Sequence, residues 1–283
     1  MRPRQWLKNG LVYAPLFFDS KLIDLESLLR TTAGFVLLCL MSGAVYIMND
    51  LVDMENDRQH PVKKERPLAS GELGPTFAAV AAVILVVGTL LAGFYLSVPF
   101  GFVLLAYFLV QVAYSFYLKN VVLLDVITVS AGFILRVAAG VAIINVERFS
   151  PWLYVCTGFL ALFLALGKRR QELILMGGEA GNHRSILNDY TVDLIDKLNA
   201  IVTTSAVVAY SLYTFLAEGL PENNLMMLTI PFVLYAVFRY LFLIHVRSEG
   251  GAPEEIFLRD RPIQASMVSW AVVVFLVLYI IPS

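Results

Sequence analysis

Apolar residues gather into long stretches near 28–50, 76–97, 100–118, 122–145, 151–167, 197–217, 225–246 and 263–281, with polar connections between them. Each is close to the roughly 20 residues that a helix needs to cross a hydrocarbon core about 30 Å thick, so eight membrane-spanning helices are predicted. A weaker segment from about Gly10 to Leu25 contains Leu11-Val12-Tyr13-Ala14-Pro15-Leu16-Phe17-Phe18. It reads as a ninth helix, broken by Pro15 and packed against protein rather than lipid. The pattern therefore predicts an all-α polytopic membrane bundle, one domain over residues 1–283. Nine crossings place the termini on opposite sides.

Composition agrees with this reading. Hydrophobic residues make up 59% of the 283 positions, charged residues 15%, and the mean hydropathy is +0.75, which excludes an ordinary soluble domain. The formal net charge of −1 gives no overall attraction for nucleic acid. Cys39 and Cys156 sit inside apolar runs and read as small hydrophobes. The basic N-terminus, with Pro15 and Asp19 interrupting its apolar part, does not resemble a removable signal peptide. With the N-terminus inside, fifteen Lys and Arg fall on the inner segments against Lys21, Arg30 and Arg148 outside. That asymmetry orients the chain in an inner or plasma membrane with its longer connections facing the cytoplasm.

Candidate chemistry sits at the inner end of the first long apolar stretch, in Asn49-Asp50-Leu51-Val52-Asp53-Met54-Glu55-Asn56-Asp57. At helical spacing Asp50, Asp53 and Asp57 lie within about 60° of one another, and Asn49, Asp53 and Asp57 share a face. Clustered carboxylates repel unless a cation sits among them, and hard oxygen donors that leave room for water and phosphate suit Mg²⁺. A metal-bound diphosphate is the first hypothesis. Lys63, Lys64 and Arg66 follow within ten residues of Asp57 and would neutralise phosphate oxygens. The connection from Lys168 to Asp196, carrying Lys168, Arg169, Arg170 and Glu172, would supply a second such edge.

Charges inside apolar stretches are costly unless they face the bundle interior. Asp125 and Arg136 lie about 20° apart around one helix but about 16 Å apart along it, so each needs a partner of its own. Arg239 is a similar case that could snorkel to the inner surface. His60, His183 and His245 have no ligand spacing, and no nucleotide-binding glycine motif is present.

The Asn49-Asp50-x-x-Asp53-x-x-x-Asp57 motif resembles the first aspartate-rich motif of the UbiA superfamily of intramembrane prenyltransferases. More narrowly, Arg2-Pro-Arg-Gln-Trp-Leu-Lys-Asn9, Ala14-Pro-Leu-Phe-Phe18, Asp57-Arg-x-His-Pro-x-Lys63, Arg66-Pro-Leu-Ala-Ser-Gly71 and Gly167-Lys-Arg-Arg-x-Glu172 resemble its decaprenyl-phosphate phosphoribosyltransferase branch. The resemblance implies nine transmembrane helices around a central cavity, Mg²⁺ as cofactor, phosphoribosyl pyrophosphate as donor and a polyprenyl phosphate lipid as acceptor, for cell-wall arabinose precursors. Where aromatic-substrate relatives carry a second acidic motif, this chain has Lys168-Arg-Arg-Gln-Glu172, which favours a more anionic donor.

Carried over residue by residue, the resemblance implies Asn49, Asp53 and Asp57 as metal ligands with Asp50 beside them, and Lys63 and Arg66 with Asp53 and Asp57 in the catalytic set. Lys168, Arg169 and Arg170 would hold donor phosphates, and Lys8, Lys119 and Arg136 the acceptor phosphate. Asp125, Glu172 and Tyr190 complete the substrate-binding set. Two other readings compete: a prenyltransferase acting from a prenyl diphosphate on an aromatic acceptor, and a secondary transporter. The sequence leaves homo-oligomerisation open.

Overall fold

The computed structural model describes residues 3–59, 63–144, 146, 150–176, 185–247 and 253–281. Among them the chain forms α1 (Ala14–Phe18), α2 (Leu25–Val52), α3 (Met54–Gln59), α4 (Pro75–Leu96), α5 (Val98–Phe116), α6 (Leu124–Ile143), α7 (Trp152–Met176), α8 (Val192–Leu216), α9 (Ile230–Val246), α10 (Pro253–Arg259) and α11 (Arg261–Phe275). Eight helical stretches among the described residues are long and apolar enough to cross a membrane. They match the eight stretches read from hydropathy.

Local chemistry explains several of the boundaries. The Asp24 carboxylate caps α2 by accepting from the Ser27 N–H at 3.2 Å and the Ser27 hydroxyl at 2.5 Å. Those bonds hold its carboxyl below the ordinary value, the hydroxyl contributing most. Thr191 caps α8 through Leu194 N–H at 3.1 Å, and Asp260 caps α11 through Ile263 N–H at 3.0 Å. Pro75, Pro231 and Pro262 lie in the first turns of α4, α9 and α11, where a missing N–H costs no helical bond.

The N-terminal segment differs from its expectation in position and type. Pro3–Tyr13 is a 3₁₀ helix that leads into the short α1. A 3₁₀ helix rises about 2.0 Å per residue against about 1.5 Å for an α-helix, so Pro3–Tyr13 covers more length than the same residues would as an α-helix. Three-residue periodicity also puts Asn9 and Val12, both buried, on one face.

The chain divides into two compact units, one of Met1–Phe17, Lys21–Phe116 and Leu135–Val146, the other of Phe18–Ser20, Tyr117–Ile134 and Glu147–Ser283. In the first, Val12, Leu16, Leu38, Met41, Phe100, Leu104, Tyr107, Ala139 and Ile143 form the core. Gly140 lets the 3₁₀ backbone approach α6, since a Cβ there would stand 2.2 Å from the Val12 carbonyl oxygen. Backbone cannot yield as a flexible side chain would, so Gly140→Ala should cost about 1–3 kcal/mol and lower the midpoint of thermal unfolding in detergent. An unchanged midpoint would show that the close approach does not constrain the fold.

In the second unit, one core joins Phe163, Val237, Tyr240, Leu243, Ile244, Ile256 and Ile263, and another joins Val126, Leu166, Ile186, Tyr190 and Ile195. One expectation is corrected here. Lys168-Arg169-Arg170-Gln171-Glu172 is not part of a connection but lies within α7, which runs on to Met176. Lys, Arg, Gln and Glu are all good helix formers, so the helix continues where the apolar run stops.

Candidate active site

In the first unit α2 ends at Val52, and Asp53 forms a one-residue break with φ −90° and ψ 6° before α3. The break barely disturbs the helical register. Asp53 N–H still donates to the Asn49 carbonyl at 2.9 Å, and Asp57 N–H to the Asp53 carbonyl at 2.8 Å. Four-residue spacing from Asn49 through Asp53 to Asp57 therefore survives the change of helix.

Arg66 binds two of these carboxylates. Its Nη1 donates to Asp50 Oδ1 at 3.2 Å and to Asp57 Oδ2 at 2.5 Å. Asp57 is only 3% exposed, so its charge is desolvated and the guanidinium compensates it. Gly71, at φ +85°, turns the chain between Arg66 and α4, a conformation that glycine adopts without strain. Among the described residues no group of three or more His, Cys, Asp or Glu stands ready to cage a cation. The side-chain oxygens of Asn49, Asp50, Asp53 and Asp57 are hard donors of the kind that Mg²⁺ takes, an ion that keeps part of its shell for water or phosphate. The backbone of Lys63 lies in a 3₁₀ turn, Lys63–Glu65, while its side chain lies outside the described residues.

Deeper in the same unit Arg136 is 7% exposed. Its Nε donates to Asn9 Oδ1 at 2.8 Å and its Nη2 to the Tyr107 hydroxyl at 2.9 Å. The Asn9 amide nitrogen in turn donates to Ser42 Oγ at 3.2 Å and Cys39 Sγ at 3.3 Å. A fully buried asparagine thus links the N-terminal segment, α2 and α6 through one cation. Lys8 and Lys119 are both half-buried. Sequence reading named Arg136 but missed Asn9 and Tyr107; the only available hint was a polar residue amid apolar neighbours.

In the second unit the cationic run of α7 fans out, because successive helical residues are turned by about 100°. Lys168 is exposed and makes no ion pair among the described residues. Arg169 is 5% exposed; its Nε donates to Asp125 Oδ2 at 2.6 Å, and its Nη1 pairs with Glu172. Asp125 is fully buried, and its second oxygen accepts from the Tyr190 hydroxyl at 2.7 Å. That hydroxyl accepts from the Leu123 N–H at 2.7 Å, which fixes Leu123 at φ +67°. Burial, and then the bond to Asp125, push the Tyr190 hydroxyl up to about 12, so it stays protonated as a donor. Asp125, Arg169, Glu172 and Tyr190 thus form one interlocked polar cluster.

Arg170 faces elsewhere. Its Nε and Nη2 donate to Asp196 at 2.7 and 3.4 Å, its Nη1 to the Ile244 carbonyl at 3.2 Å, and His245 Nε2 lies 3.4 Å from the same carboxylate. Asp193 pairs with Lys197 on the exposed side of α8, and Asp189 is exposed. Arg239 is held by Asp260 through both of that residue's oxygens, a partner that the snorkelling expectation did not include. The bond to Arg239 is the main reason that the Asp260 carboxyl lies below its ordinary value. On α8, Asn199 is 2% exposed, and both atoms of its amide lack a hydrogen-bond partner among the described residues, as does the hydroxyl of Thr203.

Three comparisons bear on this arrangement. A profile described as the UbiA prenyltransferase family matches residues 12–259. Over 285 residues the chain is 34% identical to a decaprenyl-phosphate phosphoribosyltransferase of Mycolicibacterium smegmatis, covering 95% of this chain and 88% of that protein. It is 32% identical to one of Corynebacterium glutamicum over 100% of this chain and 86% of the relative. Among solved structures, a UbiA homologue from Archaeoglobus fulgidus bound to DMAPP and Mg²⁺ superposes with a TM-score of 0.74 at 19% identity, covering 99% and 97% of the two chains. That likeness concerns the fold.

Proposed function

The chain belongs to the UbiA prenyltransferase family, and we propose that within it the protein transfers 5-phosphoribose from phosphoribosyl pyrophosphate to a polyprenyl phosphate, releasing pyrophosphate. The observation that carries this reading is near full-length similarity to decaprenyl-phosphate phosphoribosyltransferases from two genera. It is joined by the Asp50–Arg66–Asp57 arrangement, in which carboxylates and a guanidinium able to bind phosphate share one cluster. The protein is an integral membrane enzyme. The surplus of cations on the inner segments supports a plasma-membrane protein whose active site faces the cytoplasm.

Asn49, Asp50, Asp53 and Asp57 would hold Mg²⁺, which when bound supplies positive charge to the leaving diphosphate. Arg66, with Lys63, neutralises donor phosphate oxygens. The bond from ribose C1 to the diphosphate oxygen breaks, and the electron pair leaves with pyrophosphate. The acceptor phosphate already carries its nucleophilic charge, so its oxygen closes the new bond at C1 without a general base. Lys8 is assigned to that acceptor phosphate. Arg136, Asp125, Arg169, Arg170, Glu172 and Tyr190 have their polar groups engaged within the protein, and we assign them to positioning rather than to direct contact with substrate.

Reconstituted protein offered labelled phosphoribosyl pyrophosphate and a polyprenyl phosphate should form a labelled lipid and release pyrophosphate, and excess EDTA should stop both. Prenyl diphosphate with an aromatic acceptor should release none. Pyrophosphate arising from the prenyl diphosphate instead, or turnover persisting in EDTA, would overturn the assignment.

A further inference from the structure

A cleft of about 370 Å³ opens between α8 and α9, lined by Asp196, Asn199, Ala200, Thr203, Thr204, Phe238, Leu241 and His245. We propose that it binds a hydroxyl-bearing lipid headgroup, entering sideways from the bilayer. Asn199 and Thr203, one helical turn apart, carry the unpartnered amide and hydroxyl into its lining. A buried amide needs both donors and acceptors opposite it, and hydroxyl groups offer both.

The charges around the cleft argue against a plain anion site. Arg170 directs its donors to Asp196 and the Ile244 carbonyl, so its charge is already engaged and selection among lipids falls to the hydroxyl groups of the headgroup rather than to its phosphate. His245 Nδ1 lies 2.9 Å from the Leu241 carbonyl and Nε2 lies 3.4 Å from Asp196 Oδ1, so both ring nitrogens face groups that accept. These acceptors favour a ligand that donates. The surroundings argue for a lipid rather than a soluble polyol. Phe238, which lines the cleft, is 61% exposed, and Ile201, Tyr235 and Val246 on the same two helices are exposed as well. Asn199 lies about 10 Å along α8 from its start, and His245 is in the last turn of α9, so the cleft sits near headgroup depth.

The test titrates detergent-purified protein with phosphatidylglycerol, phosphatidylserine and phosphatidylcholine of matched acyl chains, and with glycerol phosphate, following thermal unfolding. Phosphatidylglycerol alone should raise the midpoint saturably. Thr203→Val and Asn199→Leu should each weaken the half-saturating concentration by about tenfold, and Ala200→Trp, which plugs the mouth, should abolish the response. An equal response to phosphatidylserine or phosphatidylcholine, a response to glycerol phosphate, or variants that respond like the parent would each overturn the proposal. Should Asn199→Leu fail to fold, Thr203→Val and Ala200→Trp decide the matter.

Discussion

Asp57→Asn should reduce phosphoribosyl transfer at least about a hundredfold while the protein still inserts and purifies. The two effects separate because the substitution keeps the volume and a carbonyl acceptor for Arg66, which now stands 2.5 Å from Asp57 Oδ2. What is lost is the negative charge that a divalent ion and its diphosphate require. Turnover at saturating donor and Mg²⁺ is the measurement, with the thermal midpoint as a control. Near-parental turnover would remove Asp57 from the metal-binding set. A lower midpoint with normal turnover would make the pair with Arg66 a folding device only.

The second large effect concerns stability. Arg169→Met would leave Asp125, which is fully buried, with the Tyr190 hydroxyl but without its cation. Removing one member of a buried ion pair typically costs about 3–5 kcal/mol, because the remaining charge stays desolvated. Pairing Arg169→Met with Asp125→Leu should recover much of that loss, since it removes the fully buried charge together with its cation and leaves only Glu172, whose side chain is 23% exposed to solvent. Equilibrium unfolding of both single variants and the double variant provides the cycle. Single variants costing under about 1 kcal/mol would show that water reaches the cluster and that its burial is only apparent.

Fold and site were legible in the sequence to different depths. The eight long helices follow from hydropathy because, in a bilayer, a stretch of some 20 apolar residues has few other ways to satisfy its backbone. The N-terminal segment was harder, since hydropathy counts residues and not rise per residue, and a 3₁₀ helix covers the same thickness with fewer. The aspartate motif was visible as a spacing. Its engagement by Arg66 was not, although the two lie only nine residues apart, because Pro61 between them ends helical spacing as a guide to which side chains meet.

Longer-range pairs were beyond reach. Arg136 meets Asn9 across 127 positions and Arg169 meets Asp125 across 44, and no local pattern records such partners. The Lys168–Glu172 run looked like one edge of a site because charge was read as a block. On a helix the same residues point in different directions, so only Lys168 remains exposed while Arg169 and Arg170 are drawn into separate clusters.

The bridge from Arg66 to Asp50 and Asp57 also bears on how the chain comes to exist in a membrane. A nascent helix ending in crowded like charges would otherwise stay strained until some dissolved ion reached it. Here the polypeptide brings its own counterion, made a few residues later, so assembly can finish before any substrate or salt arrives. On the metal assignment proposed above, loading the enzyme would exchange one positive partner for another rather than fill a bare acidic hole.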